Sequence, residues 1–259
     1  MQKEEGPDPA LDQIAASYDD LPYTSKAFAT THPARIGAIA QLLGLRSAPA
    51  ETARVLELGC ARGGNIIPQA YHNPEGRFLG VDLGARQIAE GQAKIAGLGL
   101  TNIELRCQSL TELSEDDGPF DYIIAHGVYS WVPEEVSDAL LRICRALLAP
   151  GGVIFISYNV LPGWRMLQPA RDVFFALIPA DQPPIARVAQ ARSLLETIDC
   201  NPDDQGLYAN AIRAARQRIE GLTDDLLFHE FMEDSNRPVT FDDFDDCAAG
   251  HSLAYLGDA

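Results

Sequence analysis

The periodicity of hydrophobic and polar positions changes along the chain and divides it into four regions. From Pro33, a residue suited to a first helical turn, Ile36, Ile39, Leu42 and Leu43 recur at helical spacing until Gly44 and predict a helix. Short β-type runs then alternate with helical patterns. The strands read as Arg54 to Leu58, Phe78 to Asp82, Ile103 to Cys107, Phe120 to Ala125 and Val153 to Ser157. Between them, Ala85 to Ala96 carries Ile88, Gln92 and Ile95 on its pattern and ends in Gly97 and Gly99. A second helix begins at Pro133-Glu134-Glu135, shows the apolar stripe Val136, Leu140, Ile143 and Leu147, and is stopped by Pro150-Gly151-Gly152. This alternation is the signature of an α/β fold, a doubly wound parallel sheet with crossover helices.

After Tyr158 the β signal disappears. Residues 165–178, 185–198, 204–220 and 223–233 read as helices separated by Pro, Asn-Pro or Gly, and Asp242 to Gly250 as one more, with Ser252 to Leu256 as a sixth strand. At the other end, residues 1 to 32 are acidic, then rich in turn formers and aromatics, without a sustained helical period. They read as a wrapping segment. The expected organisation is a lid segment and helix over 1–46, a Rossmann-like core over 47–160, a helical insertion over 161–240, and a final helix and strand over 241–259.

Composition narrows the classes. At 259 residues and 46% hydrophobic content the chain can bury a large core, which excludes wholesale disorder. Neither a membrane-length apolar run nor a signal peptide is present, so a cytoplasmic protein without membrane insertion is expected. Twenty Lys+Arg against 37 Asp+Glu give a net charge of −17, which repels phosphate backbones and argues against nucleic acid as a partner. Five dispersed cysteines without a C-x-x-C pair read as reduced, mostly buried thiols. The cluster Asp242, Asp243, Asp245 and Asp246 lacks the spacing and terminal Glu of a calcium loop, so no metal is expected.

The strongest chemical signal is the run Val55-Leu56-Glu57-Leu58-Gly59-Cys60-Ala61-Arg62-Gly63-Gly64-Asn65, a strand entering a glycine-rich turn and then a helix. Glycines let the backbone approach a ligand, and the helix start offers unpaired N–H groups. A dinucleotide site wants glycine where Ala61 stands, which argues against NAD. Gly80-Val81-Asp82 places a carboxylate at the end of the second strand, where it can accept two ribose hydroxyls or cap the helix starting near Ala85. Phe120-Asp121 to His126 and Leu148-Ala149-Pro150-Gly151-Gly152 complete the set.

In this order and spacing, Glu57-Leu58-Gly59, Asp82, Phe120-Asp121 and Leu148 to Gly152 resemble the class I S-adenosylmethionine-dependent methyltransferases over about residues 50 to 160. Ser17-Tyr18-Asp19, Pro22-Tyr23, Thr31-His32-Pro33, His126 to Pro133 and Ser157-Tyr158-Asn159 with Pro162-Gly163-Trp164 resemble the bacterial branch that carries a methyltransferase regulatory domain. That branch includes rickettsial lysine methyltransferases of outer-membrane proteins. The resemblance implies a Rossmann-like methyltransferase sheet with an N-terminal lid, a helical insertion after the fifth strand, and residues 241–259 opening a regulatory region. Branch members usually run on well past this length, so the chain reads as a fragment ending there. It implies S-adenosyl-L-methionine as cofactor, with Gly59, Ala61 and Gly63 around its methionine part and Asp82 on its ribose. Glu57, Asn65 and Gln87 are further cofactor candidates. Where the superfamily usually has an acidic residue for the adenine amine, this chain offers Gln108 and Ser109.

The remaining candidates have double readings. His126, beyond the fourth strand, is a general base or a hydrogen-bonded shell residue, and also a cofactor contact. Tyr129 and Trp131 form a π-rich wall around a cation, or pack in the core. Tyr18, Tyr23 and His32 belong to a lid over the cofactor, or to a packed arm. Arg62 pairs with the methionine carboxylate or lies on the surface. Three functions follow: methylation of a protein side chain such as lysine, O- or N-methylation of a small molecule, and non-catalytic cofactor binding. A homodimer is compatible with each.

Overall fold

The computed structural model describes residues 21–22, 24–197 and 203–259. Tyr18 and Tyr23, two of the expected lid residues, lie outside the described residues. The chain runs through helix α1 (Pro33–Leu42), β1 (Arg54–Leu58), α2 (Ile66–His72), β2 (Arg77–Asp82), α3 (Ala85–Leu98), β3 (Ile103–Cys107) and β4 (Phe120–Ala125). It continues with α4 (Glu134–Leu147), β5 (Leu148–Ile156), α5 (Gln168–Leu177), α6 (Pro184–Thr197), α7 (Leu207–Glu220), α8 (Asp224–Phe231) and α9 (Phe241–Gly250).

The five strands form one parallel sheet in the order β3-β2-β1-β4-β5. Strands covered on both faces need near-continuous apolar runs, and β1 and β4 supply them. One face packs Val55, Tyr122 and Ile124 against Ile36, Ile66 and Ile88 of α1, α2 and α3. The opposite face packs Leu56, Leu58 and Ile123 against Leu140, Ile143 and Leu147, the stripe of α4. A third core, built around Phe174, Val188, Ala215, Leu227 and Phe231, joins α5 to α8. The strand order reverses beside β1, where β1 has β2 on one side and β4 on the other, so a crevice opens at the carboxyl ends of these strands.

Two sequence expectations are corrected. Pro150-Gly151-Gly152 does not follow a helix as a loop: α4 passes directly into β5, which already includes this tripeptide. An edge strand tolerates Pro, the pairing with β4 is irregular between Phe120 and Tyr122, and Gly151 takes the left-handed φ of +76° the bend needs. Ser252 to Leu256 forms no strand. Ser252 has a φ of +60°, the Leu253 amide turns back to Ala248 O at 3.0 Å, and the Tyr255 hydroxyl donates to Asp258 at 2.7 Å, so the chain curls over α9 instead of reaching the β5 edge. The acidic cluster begins α9: Thr240 and Asp243 form a capping box and the aspartates face its positive dipole end. Of the cysteines, Cys60 and Cys144 are buried while Cys107 and Cys247 are exposed, fewer buried than expected among the described residues.

Candidate functional site

The crevice holds a cavity of about 400 Å³. Its floor is the turn between β1 and α2. Gly59 (φ +70°) must be glycine, because a Cβ there would lie 2.6 Å from Val128 Cγ2, and Ala61 is itself left-handed at φ +49°. Asp82 holds this conformation: its Oδ2 accepts the Ala61 amide at 2.8 Å while its Oδ1 accepts the Gly84 amide at 2.8 Å, just before α3. The carboxylate therefore joins the turn to the end of β2 and to Gly84, the residue that precedes α3.

Glu57 is the penultimate residue of β1. It is 4% exposed, accepts from Asn65 Nδ2 at 2.7 Å through Oε1, and has no donor on Oε2. Burial pushes its carboxyl up to about 8; the Asn65 hydrogen bond opposes this and the nearby Asp82 charge adds to it. Asn65 in turn accepts the Phe28 amide at 3.0 Å and shares hydrogen bonds with the Thr31 hydroxyl. Ser25 Oγ accepts the Gly64 amide at 2.8 Å. Residues 24–32 thus form a strap across the glycine turn, ending where the His32 ring accepts the Ala34 amide and caps α1.

Of the sequence candidates, Glu57, Gly59, Ala61, Asn65, Asp82, Gln108, Ser109, His126 and Trp131 line this one cavity. Others do not. Gly63 shapes the turn from behind, where a Cβ would meet Ile67 and Leu105. Gln87 is buried on α3, its side chain beneath Gly84. Tyr129 is 1% exposed and packs against Tyr158 and Phe244, because the chain turns at Gly127 (φ +70°) and sends Tyr129 into the core while Val128 and Trp131 remain on the cavity wall. Arg62, partly exposed, pairs with Glu90 at 3.2 Å and is not among the cavity's lining residues. Ser109 spends its hydroxyl on Thr111 in a short capped turn, leaving Gln108 as the amide beside it.

The opposite lobe is aromatic. His126 stacks on Phe28 with ring centroids 4.0 Å apart, and Trp131 meets Trp164 edge-on at 5.9 Å. Burial, assisted by the Lys26 charge, lowers the His126 pKa below its ordinary value against an opposing backbone hydrogen bond, so the ring is neutral near pH 7. Sequence reasoning missed Lys26, Ser25 and three residues of the helical region, Arg218, His229 and Glu230, which close the lobe from α7 and α8. Burial raises the Glu230 carboxyl pKa, opposed by Arg218, whose Nη2 lies 3.5 Å away, and by Lys26. Tyr158, Asn159 and Trp164 stood in the sequence patterns without an assigned role and also line the cavity.

The geometry defines a Rossmann-like methyltransferase domain. A methyltransferase-domain family matches residues 55–152, and a family described as a predicted methyltransferase regulatory domain matches residues 223–259. RP789 of Rickettsia prowazekii is 39% identical over 242 residues, which are 93% of this chain and 44% of that protein. RP028 of the same organism is 36% identical over 229 residues, 88% of this chain and 92% of the relative. The structure of PKMT2 from Rickettsia typhi in complex with AdoHcy superposes with a TM-score of 0.83 at 37% identity, covering 91% of this chain and 46% of that one. The chain therefore spans less than half the length of RP789 and PKMT2. It belongs to this family of methyltransferases with a regulatory region. No helix among the described residues is long and apolar enough to cross a membrane.

Proposed function

We propose that the protein uses S-adenosylmethionine to methylate an amine side chain of a protein, with lysine as the acceptor. The observation that carries the cofactor is the orphaned Glu57 Oε2, a buried acceptor in the cavity wall that calls for a cationic donor. The ammonium of the methionine part fits it. Asp82 lines the cavity at the end of β2 and would accept the ribose hydroxyls, Gln108 on the same wall would meet the adenine amine, and Ala61 fits a cofactor without a pyrophosphate. When bound, the cofactor supplies an electrophilic methyl on a sulfonium.

The chain's own residues then align, dry and deprotonate. The Phe28–His126 stack and the Trp131–Trp164 pair wall the acceptor lobe against water, and positioning alone carries much of a displacement reaction. A lysine with an ordinary pKa near 10.4 must lose its proton first. Neutral His126, on the cavity wall, would take it. The choice of a protein amine over a small molecule is supported by the likeness to PKMT2 at 37% identity.

Calorimetry with S-adenosylmethionine, S-adenosylhomocysteine and NAD tests the cofactor; binding of NAD alone would overturn it. Labelled methyl transfer to bacterial surface-protein fragments and to small metabolites in parallel tests the acceptor. Label on metabolites alone would move the function to small-molecule methylation, and binding without transfer to any acceptor would favour a non-catalytic module.

A further inference from the structure

The strap is held at both ends, and only one end belongs to the methyltransferase domain. On the cofactor side, Ser25 and Phe28 bond to Gly64 and Asn65, and Asn65 bonds to Glu57. On the far side, the Thr24 amide donates to Asp225 Oδ2 at 2.7 Å, and His229 Nε2 meets Leu21 O at 2.7 Å. Asp225 and His229 lie one helical turn apart on α8 and so share a face. Both are buried, His229 at 3% exposure, with its other ring nitrogen fixed by Glu233 at 2.7 Å. Helix α8 is anchored from behind by Arg171, which donates to Glu230 O and Glu233 O at the helix end. It also begins the segment matched by the regulatory family, residues 223–259.

We infer that Asp225 and His229 are positioning residues for the cofactor: through the strap they hold Gly64, Asn65 and Glu57 in their binding geometry, and this is the route by which the regulatory region acts on the site. Neither has to touch the cofactor's methionine part to do so. The hydrogen bonds run without a gap from Asp225 to Thr24 and resume at Ser25, the next residue, on Gly64. A displacement of α8 therefore removes one fixed end of the strap, and the turn loses partners that its own sequence does not supply. The inference rests on the proposal that this turn binds S-adenosylmethionine.

The test uses Asp225→Ala and Asp225→Asn in the whole chain. The asparagine retains an oxygen that accepts the Thr24 amide, whereas the alanine does not. Three readouts are compared: S-adenosylhomocysteine affinity by calorimetry, hydrogen exchange of the Phe28 and Gly64 amides, and thermal unfolding. Asp225→Ala should weaken affinity by about tenfold, the scale of one lost hydrogen bond to a charged group, and speed exchange at Phe28 and Gly64 while the β1 and β4 amides stay protected. Asp225→Asn should stay near wild type in both. Wild-type affinity in Asp225→Ala would overturn the inference, as would equal loss in both variants without faster exchange at Phe28 and Gly64. Failure of wild type to bind either sulfur nucleoside is a different result: it removes the cofactor proposal itself, and the inference with it.

Discussion

Asn65 donates its side-chain amide to Glu57 Oε1 at 2.7 Å and accepts the Phe28 amide at 3.0 Å, so one buried side chain joins the floor of the cavity to the strap above it. Its replacement by alanine strands a buried carboxyl and a backbone donor together. Asn65→Ala should cost about 1–3 kcal/mol in unfolding free energy, the usual penalty for an unsatisfied buried group. Urea denaturation measures this. A loss within a few tenths of a kcal/mol would mean that water replaces the side chain without penalty.

The raised Glu57 carboxyl gives stability a definite pH dependence. With a folded pKa of about 8 and an unfolded value near 4.3, the unfolded chain releases this proton first. The sign follows: the contribution is fully favourable below the unfolded value and is lost as pH rises through the window up to about 8. Glu57→Gln, which cannot ionise, should lack this term, so its stability relative to wild type should rise by up to about 1.4 kcal/mol per pH unit across that window. A constant difference between the two proteins from pH 5 to pH 8 would contradict it. If an ammonium occupies Oε2, cofactor binding should also release a proton at pH 7, readable by calorimetry in buffers of different ionisation enthalpy.

The strap makes a separate steric prediction. A Cβ built on Gly64 would lie 2.5 Å from the Ser25 carbonyl carbon and Oγ and 2.6 Å from its carbonyl oxygen, closer than any real contact. Gly64→Ala should therefore displace the strap, expose Phe28 and lift its stack from His126. Hydrogen exchange of residues 24–31 should quicken with little change in the sheet core. Unchanged protection would show that the turn yields instead.

The parts of this site legible in the sequence are those set by local pattern. Glu57 and Asp82 stand at the ends of apolar runs bounded by turn residues, and a parallel sheet brings such ends to one edge, so their convergence needed no knowledge of distant contacts. Tyr129 shows the limit: whether it faces ligand or core depends on one left-handed residue, Gly127, and glycine takes either hand. Arg218, His229 and Glu230 carry no local signal, because their approach to the cavity is decided by how the core around Phe174 and Phe231 packs. The lid expectation rested on Tyr18, Tyr23 and His32, of which the two tyrosines lie outside the described residues, while the residues that hold the strap include Ser25 and Thr31, small hydroxyls that look like any loop.

Asp82 holds the Ala61 and Gly84 amides in addition to its proposed ribose contact, which separates two variants. Asp82→Asn keeps one carbonyl oxygen for either the Ala61 or the Gly84 amide, whereas Asp82→Ala keeps none. Asp82→Ala should weaken S-adenosylhomocysteine binding by about 1–3 kcal/mol and lower thermal stability as the left-handed Ala61 loses its tie. Asp82→Asn should retain more of the stability than of the affinity. Equal affinity in all three proteins would leave Asp82 with the Ala61 and Gly84 amides alone.

His126 carries the last prediction, since two roles fit its position and differ in their pH signature. Stacked on Phe28, it can simply hold the acceptor lobe in shape; neutral near pH 7, it can also take the proton an amine must lose. As a base, it should contribute about 10²–10⁴-fold to turnover, and activity should fall as pH drops through a value below the ordinary 6.5, because burial lowers the pKa and so extends the neutral form to more acidic solution. His126→Phe keeps a ring for the stack and removes the base, while His126→Ala removes both. If the base role holds, both variants should lose turnover to a similar extent and both should lose the acid limb of the pH profile. If the stack is what matters, His126→Phe should turn over like wild type and only His126→Ala should show a raised acceptor KM. That second pattern, with an unaltered acid limb in His126→Phe, would show that another group takes the proton, and Glu230, whose carboxyl pKa burial raises in the same lobe, is the next to substitute.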